Sequence, residues 1–348
     1  MGRRKVSRDH RVSLKDVAKL AGVDVSTASR ILGGKPGQRI SEEARARILE
    51  AAKTLQYQPN ALARALRTAR TFTLGLVVPQ FDNPVFSLAI RGAEAAAARR
   101  GYSILIAHRD PDHIDAGTYE RLAGTHRVDG LLAASLDDDR NLIEDLKAAQ
   151  IPFVLMNRSV GTSPSVALDT ESAARIGVEH LLALGHRRVA HIAGRLEGFN
   201  GQARLAGYYG ALQAAGLPAD PSLVEPAGYS VEGGAEAMRR LLTRCAPLPT
   251  AVLAATLVSA TGAIAALHEA GISVPRQISV IAIHDAPIAA MVYPALTTVR
   301  TPLEAMGASA AELLIDLIEG GTPEAVRLLP PSGLSIRKST APPPLDSA

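Results

Sequence analysis

From residue 73 to residue 283 the chain alternates short apolar runs with longer helical stretches, and no other feature restricts its fold as strongly. The runs are TLGLVVP, YSILIAH, GLLAAS, FVLMN, RVAHIAG, AVLAA and ISVIAI. An apolar run without polar alternation suits a strand covered on both faces. The stretches between them, such as NPVFSLAIRGAEAAAARRG and DTESAARIGVEHLLALGH, read as amphipathic helices. Strands separated by helices pair in parallel, because a parallel neighbour is reached only through a long crossover. The roughly 270 residues that follow Phe72 suffice for two such sheets, each with helices on both sides. Ligands of this architecture bind beyond the strand C-termini, here in the cleft between two subdomains.

The first 70 residues do not share the pattern. They hold 16 Lys and Arg against 6 Asp and Glu, whereas the rest of the chain holds 22 against 28, an asymmetry hidden by the net charge of +4. One end therefore attracts polyanions and the other does not. Within the basic end, SLKDVAKLAGVDVSTASRIL places Leu14, Val17, Ala18 and Ala21 on one stripe of a short helix. Ser13 and Asp16 have the spacing of a capping box, and Gly22 supplies a sharp turn. A second helix, capped by Asp24 or a neighbour, turns Ala28, Ile31 and Leu32 inward and Val25, Ser26, Ser29 and Arg30 outward. A third begins at SEEARARILEAAKTL with Ser41 as cap and Ala44, Ile48, Ala51 and Leu55 inward. Helix, glycine turn and helix in a basic segment is the pattern of a helix-turn-helix DNA reader. Its second helix would enter the major groove, with Arg30 at a guanine edge and Ser26 at a nearby donor or acceptor. A three-helix unit for protein contact is the competing reading.

The next segment, YQPNALARALRTART, has high helix propensity and three arginines, Arg64, Arg67 and Arg70, yet is too short to hold a helix alone. Small alanines and a projecting Leu66 suit the minor groove, where apolar wedges unstack a base step.

Several chemistries find no support. No run of about 18 apolar residues occurs, so no membrane helix is expected. Cys245 is the only cysteine, which excludes an intramolecular disulfide and a cysteine zinc site. His180, His186 and His191 lack the spacing of a helical ligand pair, so no metal is expected. GRLEGFNG lacks the Lys-Ser/Thr of a phosphate loop, LDDD at 136–139 reads as a solvated helix start, and no cofactor or catalytic constellation is expected. The basic N-terminus precedes no apolar stretch, so a cytoplasmic protein is expected.

LKDVAKLAGVDVSTASRIL followed by YQPNALARALRTARTFTLGLVVP resembles the lactose/galactose repressor (LacI) family of bacterial transcription regulators. RVDGLL, GHRRVAHIAG, RLAGYYGAL, PTAVLAA and YPALTTVR follow in the family's order, and the similarity covers about residues 12–340. The resemblance implies that Val25, Ser26 and Arg30 read bases and that Thr27 and Ser29 contact phosphates. It further implies that Asn60, Ala63 and Arg64 belong to a minor-groove hinge helix and that Leu66 intercalates at the centre of a palindromic operator. Asp24 stands where the family more often has serine. In the cleft, Arg204 matches an effector-contacting arginine. The family's Asn-Asp after the PTAV strand is Thr256-Leu257 here, and its Gly-x-Asp-Asp is replaced by Ala282, His284 and Asp285. Thr256, His284 and Asp285, with Asp82 and Phe86 from QFDNPVFS, are the candidate effector contacts. Two readings stay open: an effector altered toward negative charge, met by Arg204 and a His284 that gains charge near neutral pH, or a pocket without small-molecule response.

The expected fold is an all-α helix-turn-helix headpiece joined to an α/β core of two parallel-sheet subdomains, similar to periplasmic binding proteins. Expected boundaries are a basic tail at 1–12, the DNA-binding domain at 13–58, a hinge at 59–71, the core at 72–340 and a disordered tail at 341–348. The N-subdomain takes about 72–170 and 300–330, and the C-subdomain about 171–298 and 331–340. The expected function is a homodimeric repressor of a pseudo-palindromic operator, controlled by a carbohydrate-related effector. APPPLDSA carries no leucine heptads, which favours a dimer over a coiled-coil tetramer. A cytosolic solute-binding protein or enzyme on the same core has no use for the basic headpiece, and an architectural DNA binder has none for the core.

Overall fold

The computed structural model describes residues 12–32, 40–57, 70–81, 83–108, 118–124, 127–134, 142–322 and 326–344. The chain divides into two compact units, Met1–Thr71 and Phe72–Ala348.

The smaller unit contains α1 (Leu14–Ala21), α2 (Val25–Leu32) and α3 (Glu42–Thr54). The capping box forms: the Ser13 backbone N–H and hydroxyl both donate to the Asp16 carboxylate, at 2.8 and 2.7 Å. Gly22 ends α1 with φ +64°, a left-handed conformation that costs glycine little. Asp24 caps α2 by accepting from the Ser26 N–H at 2.7 Å. Val17, Ala18, Ala21, Ala28, Ile48 and Ala51 form the buried centre. Four of the six are alanines, so the helices approach closely around one isoleucine and one valine.

The larger unit contains two six-stranded sheets. In the first the strands run in the order β11-β5-β4-β3-β1-β2. They are β1 (Thr73–Val78), β2 (Ser103–His108), β3 (Gly130–Ala134), β4 (Phe153–Met156), β5 (Ser165–Leu168) and β11 (Val326–Leu329). In the second the order is β12-β10-β9-β8-β6-β7. Its strands are β6 (Val189–Ala193), β7 (Val224–Pro226), β8 (Ala251–Ala254), β9 (Ser279–Ile283), β10 (Thr297–Val299) and β12 (Leu334–Ser335). Every pairing is parallel except β10 with β12. The described helices of this unit are α4 (Pro84–Arg99), α5 (Thr118–Gly124), α6 (Leu142–Ala148), α7 (Thr170–Ala183), α8 (Phe199–Ala214), α9 (Val231–Arg244), α10 (Leu257–Glu269) and α11 (Leu303–Ile318). The chain passes from one sheet to the other three times, after β5, after β10 and after β11.

β1 after its first residue, and β3, β6, β8 and β9 throughout, are buried, as apolar runs covered on both faces demand. YSILIAH behaves differently. It forms β2 at a sheet edge, where Leu105 and Ile106 are 37% and 40% exposed and no further strand among the described residues pairs with β2. Ala341, the first residue of the expected tail, is anchored: its N–H donates to the Ser279 hydroxyl at 3.0 Å and its carbonyl accepts from His186 at 2.9 Å.

Candidate DNA interface and effector cleft

On α2 the small Ala28 is fully buried, and this fixes which face looks outward. Val25, Ser26 and Arg30 are exposed, while Thr27 and Ser29 are half-buried at the flanks. Arg30 reaches back one turn to donate to the Ser26 hydroxyl at 3.3 Å, so the two polar groups stand side by side. Asp24 is engaged in capping: hydrogen bonds from Ser26 chiefly, with a smaller contribution from the Arg30 charge, hold its carboxyl below the usual range. Its negative charge is thereby committed to the start of α2. Asn60, Ala63, Arg64 and Leu66 lie outside the described residues, as do Asp82 and the LDDD segment.

In the larger unit, α8 carries Arg204 to the C-terminal end of the second sheet, where the side chain is 2% exposed. One guanidinium nitrogen lies 3.2 Å from His284 Nε2, another lies 3.5 Å from the Tyr229 hydroxyl, and the group stands 5.6 Å from the centre of the Tyr229 ring. Tyr229 fits there because residue 194, at the end of β6, is glycine: a β-carbon on Gly194 would stand 2.3 Å from the phenol oxygen. An arginine only donates, so His284 Nε2 is the acceptor and Nδ1–H donates to Thr301 Oγ1 at 2.7 Å. His284 has φ +74°, in the left-handed region that favours glycine, so packing holds it against a backbone cost. Burial first, and then the Arg204 charge, keep it well below the ordinary histidine pKa. Its ring is neutral at pH 7, which corrects the expectation that it gains charge there.

Two further candidates also have other duties. Thr256 is the N-cap of α10: its hydroxyl accepts from the Ser259 N–H at 3.2 Å and lies 3.0 Å from the Ser259 hydroxyl. Asp285 is saturated. It accepts from Thr298 at 2.8 Å and from Ser335 at 2.8 Å, and pairs with Arg337 at 2.9 Å. These bonds tie β12 and the chain beyond it to the sheet, so Thr256 and Asp285, named as effector contacts, both carry structural hydrogen bonds as well. Phe86, 2% exposed, packs into the core between the first sheet, α4 and α11.

The structure adds residues that the sequence did not single out. Tyr229 and Thr301 complete the surroundings of Arg204 and His284. Asn200, on α8, donates to the Asn157 carbonyl at 2.7 Å, which ties the C-terminal end of β4 in one sheet to a helix of the other. No local pattern marks these residues, because each is defined by a partner far away in the chain. The three clustered histidines have separate partners: His180 with Thr340, His186 with Thr250 and Ala341, His191 with the Leu253 carbonyl. His191 stacks on Tyr208 with ring centres 5.1 Å apart, and burial pushes its pKa down to about 4. Among the described residues, no helix is long and apolar enough to cross a membrane.

Comparison with known proteins gives a consistent result. Residues 13–60 match the profile of bacterial regulatory proteins of the lacI family, and residues 178–340 match that of a periplasmic binding protein-like domain. The transcriptional regulator CelR of Thermobifida fusca is 36% identical over 345 residues, covering 96% of this chain and 100% of that protein. Among solved structures, a CelR–cellobiose complex superposes with a TM-score of 0.71 at 34% identity, covering 94% of this chain and 100% of that one. The lac repressor dimer bound to operator and an anti-inducer superposes at 0.78 with 28% identity, covering 95% and 99%. Helix-turn-helix headpiece, two parallel-sheet subdomains and full-length similarity agree: this chain belongs to the lacI family of DNA-binding transcriptional regulators and is not an enzyme.

Proposed function

We propose that the chain represses transcription as a homodimer whose grip on a pseudo-palindromic operator is set by a carbohydrate-related effector. The observation that carries this reading is the outward face of α2, where Val25, Ser26 and Arg30 stand free of the headpiece core while Ala28 anchors the helix. Thr27 and Ser29 flank that face at phosphate-contacting positions, and Asn60, Ala63, Arg64 and Leu66 act in the minor groove. Dimerisation is supported by apolar surface that a lone chain leaves wet. Leu105 and Ile106 on edge strand β2 are 37% and 40% exposed, and Ile288, Met291 and Tyr293 after β9 are 47%, 78% and 87% exposed.

The effector acts in the cleft beside Arg204. Each lobe contributes one sheet, and three chain crossings join them, so a ligand preferring one lobe arrangement shifts the population of operator-competent dimers. The cellobiose-bound relative supports a sugar-type ligand. A salt-controlled mobility shift on the protein's own upstream DNA tests the reading. The parent should prefer its operator by about a thousandfold or more over random DNA. Arg30→Ala should reduce that preference about ten- to hundredfold with little change in random binding. Equal operator affinity of mutant and parent would refute the role of Arg30.

A further inference from the structure

We propose that Arg204 and His284 form an oxyanion receptor: the effector carries a carboxylate or phosphate that lodges between the two side chains, and its binding places a proton on His284. This deepens the effector reading above and rests on it.

The first support is a missing charge. Arg204 is 2% exposed, yet no carboxylate pairs with it among the described residues, and its Nε–H has no acceptor. Its partners are a phenol and a neutral imidazole. A guanidinium buried without counter-charge is costly, and an oxyanion would supply both the charge and the absent acceptor with bidentate geometry. A neutral hydroxyl supplies only an acceptor.

The second support is the histidine's placement. His284 Nε2 occupies the Arg204 nitrogen that an oxyanion would otherwise take. The imidazole is held there by Thr301, on the crossover between β10 and α11, and by a left-handed backbone. Both side chains are 2% exposed, so a ligand engages them by opening the bond between them. Once an oxyanion faces Nε2, a lone pair there would repel it, and a protonated Nε2 donates to it. The incoming negative charge also offsets the burial and the Arg204 charge that keep the free ring neutral.

Among the described residues, few other groups face His284. Arg204 approaches from α8 and Thr301 from the crossover, with Tyr229 beyond Arg204. His191 of β6 is close enough to be affected by the Arg204 charge, and Asp285, next in the chain, is neutralised by Arg337. Arg204 therefore supplies the positive charge and His284 the titrating proton.

Isothermal titration of the full-length protein near pH 7, in buffers of different ionisation heat, tests the proposal. The probes are galacturonate, glucuronate, glucose 6-phosphate and inorganic phosphate, with galactose, glucose and cellobiose as neutral counterparts. At least one acid or phosphate ester should bind tenfold or more tightly than its neutral counterpart, with uptake of about one proton. Between the free and bound pKa of His284, affinity should rise about tenfold for each unit that pH falls. His284→Gln keeps an acceptor for Arg204 and a donor for Thr301, and should fold, bind more weakly and lose the proton uptake. Uronates binding without phosphate esters, or the reverse, identifies the source of the oxyanion. Neutral sugars binding while every anion fails would overturn the proposal and leave the effector reading standing. Proton uptake undiminished in His284→Gln would overturn the role of His284. Silence from all seven probes would overturn the oxyanion receptor and count against the effector reading, while the operator assay still reports on DNA binding.

Discussion

His284 and Asp285 are adjacent in sequence and opposite in their surroundings. Asp285 is held by two hydroxyls and the Arg337 guanidinium, and that network joins β10, β12 and the loop after β9. His284 faces a buried arginine that has no carboxylate partner among the described residues and one N–H without an acceptor. A part-buried cluster with its polar atoms partnered supports the fold, whereas a buried guanidinium without counter-charge costs stability. One lobe thus carries a structural ion pair and the proposed binding centre within one peptide unit of each other. Substitutions should separate them by which measurement moves.

The largest effect is expected at the saturated cluster. Asp285→Ala takes the carboxylate from Arg337, which keeps the Leu296 carbonyl and the Thr298 hydroxyl, and removes the acceptor of Thr298 and Ser335, at a cost of about 3 kcal/mol to the larger unit. Urea unfolding should show a lowered midpoint, with operator affinity of the folded protein unchanged. Full stability combined with loss of effector response would return Asp285 to the role that the family resemblance implied.

A second way to sharpen the contrast uses pH. His191 lies in the middle of β6, stacked on Tyr208, with Nδ1–H donating to the Leu253 carbonyl and Nε2 without a partner among the described residues. Its native pKa of about 4 lies below the unfolded value of 6.5. The unfolded chain therefore binds the extra proton first, and stability is lost as pH falls below 6.5 toward 4. At pH 5.5 this one group removes about 1 kcal/mol relative to neutral pH. His180, His186 and His284 are shifted in the same direction, so the whole protein should be acid-sensitive beyond that amount. His191→Phe should flatten the pH dependence of unfolding by that single share. An unaltered profile in the variant would mean that His191 is not held neutral by burial.

Which of these features the sequence revealed follows from how local each one is. The parallel sheets were legible because VVP, LLAA and VIAI leave no polar face, and the headpiece because Ser13, Asp16 and Gly22 mark both ends of one helix. β5, β7, β10, β11 and β12 went unread: each has only two to four residues, too few to show a period. YSILIAH read as a covered strand because apolar composition does not reveal whether the cover comes from the same chain. At the site, Arg204 was recoverable from its setting in RLAGYYGAL, but the duties of its neighbours were not. Asp285 is claimed by Arg337 and Thr256 by its own helix, and only the folded contacts disclose either. His284 was found by its departure from the family pattern, yet its charge was misjudged because burial outweighs the intrinsic pKa.

The smallest expected change in stability is also the sharpest break between the two clusters. Arg204→Met keeps an unbranched side chain of similar length and deletes the buried charge. Since the guanidinium has no carboxylate to lose among the described residues, stability should stay within about 1 kcal/mol of the parent or rise. Thermal unfolding checks this, and the same variant should lose effector control while binding operator normally. His284 would then lack the positive charge beside it, so its pKa should rise, which an NMR titration of the imidazole would read directly. A large destabilisation would place Arg204 in the same class as Arg337, and the distinction between a cluster built to hold the fold and one built to receive a ligand would fail at its central residue.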